Sequence, residues 1–131
     1  MSSDRTWFIP AGSASDGRAD CRITPESAGW TYCGMYVFTL RAGDPAEFTL
    51  NGEEGVLVSL SAQNFTVTVD GTAFDMQGRD GVFAAVSDWM YLPVGSQVAI
   101  AGTSGEVAIV TARASQAVPV HYGPADSGAV E

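Results

Sequence analysis

The chain has 131 residues, 46% of them hydrophobic and 16% charged, and a formal net charge of −9. That length and apolar fraction describe one globular domain rather than a disordered segment. Six basic residues against fifteen acidic ones exclude nucleic acid and anionic lipid surfaces as partners, because both are held by clustered positive charge. All six basic residues are Arg and there is no Lys, which removes Schiff-base chemistry, a lysine base and a P-loop lysine. The longest wholly apolar runs, such as Val82–Val86, are far short of the roughly 20 residues of a membrane helix. The N-terminal MSSDRTW lacks the basic stretch and long apolar core of a signal peptide. Two cysteines, Cys21 and Cys33, make neither a disulfide framework nor a zinc pattern. The expectation is a soluble cytoplasmic protein with reduced thiols.

In chain order, the predicted elements are short strands. Thr6–Ile9, Cys21–Thr24 and Gly34–Leu40 come first, followed by Glu47–Leu50 and Val56–Leu60 on either side of Asn51-Gly52. Phe65–Val69 alternates apolar residues with Thr and runs through Asp70-Gly71 into Thr72–Phe74. Asp-Gly between two such runs predicts a hairpin, since a type I′ turn needs positive φ at both central residues. Asn51-Gly52 predicts a second hairpin. Gly102-Thr103-Ser104-Gly105, between Val98–Ala101 and Val107–Thr111, predicts a third. Val82–Val86 and Trp89–Leu92 complete the strand candidates. Helical signals are poor, because fifteen Gly and six Pro leave few windows long enough. Thr24-Pro25 could open one short turn, with Thr24 as cap. The expected fold is all-β, a single sandwich or small barrel. Residues 1–20 read as an N-terminal arm with a short strand, 21–115 as the barrel, and 116–131 as an extended tail or connection without periodicity.

Candidates for chemistry are few. The lone histidine, His121, lies in the presumed tail and reads as a solvated or interface residue rather than a ligand. Neither a metal cluster nor a Ser-His-Asp or Cys-His arrangement can be built around it. Glu53-Glu54 could be paired carboxylates, but neighbours on a strand point to opposite faces, so a solvated turn accounts for them better. Arg79, in Gly78-Arg79-Asp80-Gly81, could clamp a carboxylate ligand; a tight turn with a surface ion pair to Asp80 is the plainer reading. Trp30, Tyr32, Tyr36, Trp89 and Tyr91 could line a sugar pocket, and core or interface packing is the alternative. No catalytic residue, substrate-binding residue or metal ligand is assigned.

Several stretches together resemble a known family. Thr24-Pro25-Glu26-Ser27-Ala28-Gly29-Trp30-Thr31-Tyr32 and Gly34 are similar to the opening signature of the bacterial 5-deoxy-glucuronate isomerases of myo-inositol catabolism. Leu40 to Gly43, Val58-Ser59-Leu60-Ser61, Gly78-Arg79-Asp80-Gly81-Val82-Phe83 and Tyr91-Leu92-Pro93-Val94-Gly95-Ser96 follow in the same order. The resemblance implies a cupin-like antiparallel jelly-roll barrel. It also implies an aldose–ketose isomerisation of a deoxy sugar acid, with a divalent metal held by histidines and a glutamate. The family's members are bicupins of about twice this length, and their metal site belongs to the second barrel. Here the first cupin motif has no histidine between Asp44 and Ala62, although Glu54 falls near the glutamate position. Val98 stands where the second motif carries its histidine. The resemblance therefore identifies the chain as the N-terminal, non-metal half, inactive alone and without a cofactor of its own. Its implied partners are the second cupin half or another copy of itself, and a sugar-acid ligand. A stand-alone metal-free cupin acting as a ligand-binding or dimerisation module is the alternative reading.

Overall fold

The computed structural model describes residues 12–24, 33–83, 85–116 and 118–125. Among these residues ten strands form and no helix long and apolar enough to cross a membrane. They are β1 (Cys21–Ile23), β2 (Cys33–Thr39), β3 (Ala46–Thr49), β4 (Glu53–Ser59), β5 (Gln63–Val69), β6 (Thr72–Gly78), β7 (Trp89–Leu92), β8 (Gln97–Ala101), β9 (Glu106–Arg113) and β10 (His121–Gly123). A six-stranded sheet runs β1-β2-β9-β4-β7-β10 and a four-stranded sheet runs β3-β8-β5-β6. Every pairing is antiparallel, and the alternation of buried and exposed side chains puts one face of each sheet into a shared core.

Only one of the three expected hairpins at glycine turns joins strands that pair with each other. Asp70 (φ 48°) and Gly71 (φ 89°) turn β5 directly onto β6. Asn51-Gly52 instead carries the chain from β3, whose partner is β8, to β4, whose partners are β7 and β9. Residues 102–105 likewise lead from the smaller sheet to the larger one, from β8 to β9. Both turns are sheet crossings, because the faces that must be buried oppose each other across the core rather than side by side.

Inward-facing residues stack in layers. Register across the larger sheet aligns Arg22, Tyr36, Ile109, Leu57, Met90 and Tyr122 in one row. On one side of it lie Phe38, Val107 and Ser59; on the other, Gly34, Thr111, Gly55 and Leu92. The smaller sheet contributes Phe65, Val67, Val69, Met76, Val98 and Ile100, all buried. Tyr36, Phe38 and Phe48 stack with ring centroids 5.2–6.2 Å apart.

One expected strand is loop, part of the expected tail is a strand, and one expected strand lies outside the described residues. The described part of 82–86 is turn and loop, with Val82, Phe83 and Val86 exposed; it is hydrophobic but pairs with no strand. The presumed tail from 116 is not simply extended. His121–Gly123 forms β10 on the edge of the larger sheet, where Gly123 makes room for the Trp89 ring: a Cβ at that position would lie 1.9 Å from Trp89 Cε2. Residues 6–9 and most of the Thr24–Tyr32 signature, including Trp30 and Tyr32, are outside the described set.

Candidate functional site

The polar end of the barrel is built from the glycine layer. Gly34 and Gly55 flank Thr111 on neighbouring strands, so three small residues meet where bulky ones fill the layers below. Into that gap points Glu53, one register step further on and opposite Arg113. The Glu53 carboxylate is buried, accepting 2.8 Å from Thr111 Oγ1 and 3.4 Å from the Tyr36 hydroxyl. A Cβ on residue 34 would sit 2.7 Å from Thr111 Oγ1 and 3.3 Å from Glu53 Oε1, so glycine is what allows this carboxylate to be seated.

Around it opens a cavity of about 230 Å³ lined by Arg22, Tyr36, Asn51, Glu53 and Arg113 among others. Arg22 reaches the rim from the edge strand β1. Its Nη1 donates 2.8 Å to Asp16, and its guanidinium carbon lies 5.8 Å from the centre of the Tyr36 ring. Both features anchor a long side chain that would otherwise wander. Burial raises the Tyr36 phenol above its ordinary pKa, with the Arg22 hydrogen bond and charge pulling back and Glu53 pushing further up.

The two adjacent glutamates therefore separate, as strand geometry requires, but neither sits in a solvated turn; both belong to β4. Glu53 is the inward carboxylate. Glu54, which falls near the cupin glutamate position, lies on the outer face and accepts 2.5 Å from the Tyr91 hydroxyl. Val98 is in the core. Among the described residues no group of three His, Cys, Asp or Glu side chains is placed to hold a metal ion.

Arg79 makes no surface ion pair with Asp80 among the described contacts. Its Nε donates 2.7 Å to the Ser59 carbonyl and its Nη1 3.1 Å to the Ala85 carbonyl. Ser59 Oγ donates 2.6 Å to the Ala62 carbonyl and accepts 2.9 Å from the Ala62 amide. Gly78 (φ 67°) packs where a Cβ would stand 2.0 Å from the Ala62 carbonyl. The stretches Val58–Ser61 and Gly78–Phe83 thus meet in one hydrogen-bonded knot, and their residues secure loops rather than chemistry. Asp88 extends that knot, accepting 2.9 Å from the amides of Gln77 and Gly78 and 2.7 Å from the Tyr122 hydroxyl.

Of the aromatic candidates among the described residues, only Tyr36 lines the cavity; Trp30 and Tyr32 lie outside those residues. Trp89 and Tyr91 alternate with the buried Met90 and lie on the outer face of the larger sheet, where Trp89 packs 5.3 Å from the exposed His121 ring. Register on that face aligns Met35, Val110, Val56 and Tyr91 in one row, and Cys21, Val37, Ala108, Val58 and Trp89 in the next. Val110 is 54% and Val56 39% exposed, so the apolar strip is open to contact. Both cysteines are free, and burial raises the Cys21 thiol above its ordinary pKa.

Two facing antiparallel sheets with this connectivity define a cupin barrel. A cupin protein from Bacteroides fragilis matches 85% of the chain and 89% of its own length, at 19% identity and TM-score 0.53. The oxalate decarboxylase of Bacillus subtilis matches the fold over 73% of the chain and 25% of its own, at 19% identity and TM-score 0.51. The chain belongs to the KduI/IolB family, which it matches over residues 7–131. An IolB-like protein from Salmonella typhimurium is similar over 89% of the chain, at 25% identity and TM-score 0.78. The chain spans 45% of that protein's length. No curated protein matches it.

Proposed function

We propose that this barrel is the non-metal half of a sugar isomerase, the N-terminal cupin of a 5-deoxy-glucuronate isomerase acting in myo-inositol catabolism in the cytoplasm. The observation that carries this reading is the barrel interior of a KduI/IolB-family chain. Where a metal-binding cupin gathers histidines, this one has Thr111, Tyr36 and Gly34 around the carboxylate of Glu53, and Val98 is packed in the core. That donor set does not fit a divalent ion, which needs three or more converging ligands. Aldose–ketose isomerisation then falls to a second barrel. This one packs against its partner through the apolar strip on the outer face of the larger sheet. The partner is a second cupin of the same family.

The test combines metal analysis with an isomerase assay on 5-deoxy-glucuronate. The purified chain is expected to hold no stoichiometric Zn, Mn, Fe or Ni and to show no turnover. One tightly held ion per chain, or turnover by the chain alone, overturns the reading. Sedimentation analysis of the chain and of Val110→Asp tests the strip. Self-association that the substitution abolishes would mean that a second copy occupies the face, which is the dimerisation module instead.

A further inference from the structure

We infer that the outer face of the smaller sheet binds a linear polyamine, with one terminal ammonium seated by Glu47, Thr49 and Gln97 and the other by Asp75. The inference stands on that face alone. It is independent of the isomerase reading, whose partner surface is the outer face of the larger sheet.

The site follows from register. β8 runs between β3 and β5, pairing Ala99 with Glu47 on one side and with Thr68 on the other, and Thr68 pairs in turn with Ala73 of β6. One row across the sheet therefore reads Glu47, Ala99, Thr68, Ala73, on the face turned away from the core. Ala99 is short, while Glu47 beside it and Gln97 two residues back on its own strand are long. A hollow of about 480 Å³ opens between them, lined by Glu47, Thr49, Thr68, Gly71, Gln97 and Ala99 among others. That volume lies within the roughly 300–1,000 Å³ of small-ligand sites.

Charge selects a cation. The four strands of the smaller sheet contain no Arg, and their only charged side chains are Glu47 and Asp75. Glu47, Thr49 and Gln97 bring a carboxylate, a hydroxyl and an amide oxygen to the hollow. Among the described residues none of these three side chains is tied up in a hydrogen bond or ion pair. A primary ammonium has three N–H donors and no acceptor, so three acceptors of this kind satisfy it, whereas an anion would meet no positive group on this sheet. Shape then selects a chain with a second charge. Beyond Ala99 the row continues over the methyl groups of Thr68 and Ala73, an apolar path for methylenes. Asp75 lies on the same face two residues past Ala73. Its Oδ1 accepts 3.1 Å from Thr66 Oγ1, and a carboxylate has about four acceptor positions, so it can take a second donor. Three inter-strand steps put Glu47 and Asp75 about 15 Å apart, a span that a polyamine covers and a short alkylamine does not.

The experiment is an amide-shift titration of the full chain at physiological salt, with spermine, n-butylamine and Mg²⁺ at matched ionic strength as probes. Spermine is expected to give saturable shifts at the Thr49, Thr68, Asp75 and Gln97 amides and to bind at least roughly fivefold more tightly than n-butylamine. Mg²⁺ should leave those amides unshifted. Glu47→Gln and Asp75→Asn should each weaken spermine by roughly two- to fivefold, the scale of one exposed ion pair, and Asp75→Asn should leave n-butylamine unchanged. Ala99→Leu fills the hollow and should remove saturable binding, with parent-like amide shifts in β4 and β9 verifying that it is folded. Where that variant does not fold, the two isosteric variants at exposed side chains carry the test. Absence of saturation, equal shifts with Mg²⁺, shifts spread over the acidic residues of both sheets, or full affinity in Glu47→Gln and Asp75→Asn overturns the inference.

Discussion

Replacing Asp88 with Ala tests how the two sheets are tied. Asp88 is 2% exposed and precedes β7 of the larger sheet, yet its carboxylate accepts from the Gln77 and Gly78 amides at the end of β6 in the smaller one. It also accepts from Tyr122 of β10. Removing it strands two backbone donors and one phenol. An unsatisfied buried donor costs about 1–3 kcal/mol. The Gln77 side chain faces solvent and the bonds are only part-buried, so the low end of that range, about 1–1.3 kcal/mol, applies to each of the three donors. The sum is about 3–4 kcal/mol, a large share of a domain's roughly 5–15 kcal/mol. It corresponds to a fall of about 10–15 °C in Tm for a chain of this size. Urea denaturation followed by circular dichroism measures it. Asp88→Asn should lose about half as much, and Tyr122→Phe about 1 kcal/mol, because each leaves part of the network. A loss below about 1 kcal/mol for Asp88→Ala would refute the idea that this carboxylate joins the sheets.

Three further outcomes follow from single contacts. The Glu54 hydrogen bond, with smaller help from burial and charge, pushes the Tyr91 phenol up to about 12. Folding therefore keeps its proton longer, and the contribution is present below the ordinary pKa of about 10 and lost as pH rises through about 12. Ultraviolet titration should show a late tyrosine component, beside the also raised Tyr36, that is lost in Tyr91→Phe and moves back toward about 10 in Glu54→Gln. Gly34→Ala would place its Cβ 2.6 Å from the Ile23 carbonyl and 2.7 Å from Thr111 Oγ1. Since the first of these is backbone, the strain cannot be absorbed by a side-chain rotation, and a loss of about 1–3 kcal/mol is expected in thermal melts. Arg79→Ala should release the loop carrying Ala85 from the Ser59 carbonyl of β4, giving faster amide exchange at residues 80–83 and 85–86; unchanged exchange there would contradict the structural role given to Arg79.

Much of the fold was legible in the sequence because alternation reports which side of a strand is buried. Phe65, Val67 and Val69 point inward as their spacing requires. Pairing was harder to read. The Asp70-Gly71 turn is a hairpin, but Asn51-Gly52 has the same local chemistry and crosses between sheets, since a turn fixes chain direction and not the partner of the strand that follows. At the site, alternation separated Glu53 from Glu54 but could not say which faced inward; the phase is set by Gly55, Leu57 and Ser59 sharing the inner face of β4. Nothing local marked Arg22 and Arg113 as neighbours of one cavity. They lie at opposite ends of the chain and are joined through β2, β9 and β4. Arg79 stands out in the sequence for its flanking glycines, of which Gly78 accommodates the close approach of the Ala62 carbonyl.

The strand order also dictates when the barrel can exist during synthesis. β2 and β4 flank a gap that only β9 fills, and β3 and β5 flank one that only β8 fills. Until Gln97 emerges from the ribosome, the described strands can form only the pairs β1–β2, β4–β7 and β5–β6. Neither sheet is continuous before that point. The larger one closes only when Arg113 is available, leaving the apolar inner faces of β2 and β4 uncovered for most of translation. A nascent chain halted before Glu106 thus leaves those apolar faces open, and the two strands that join the others, β8 and β9, are followed only by the edge strand β10.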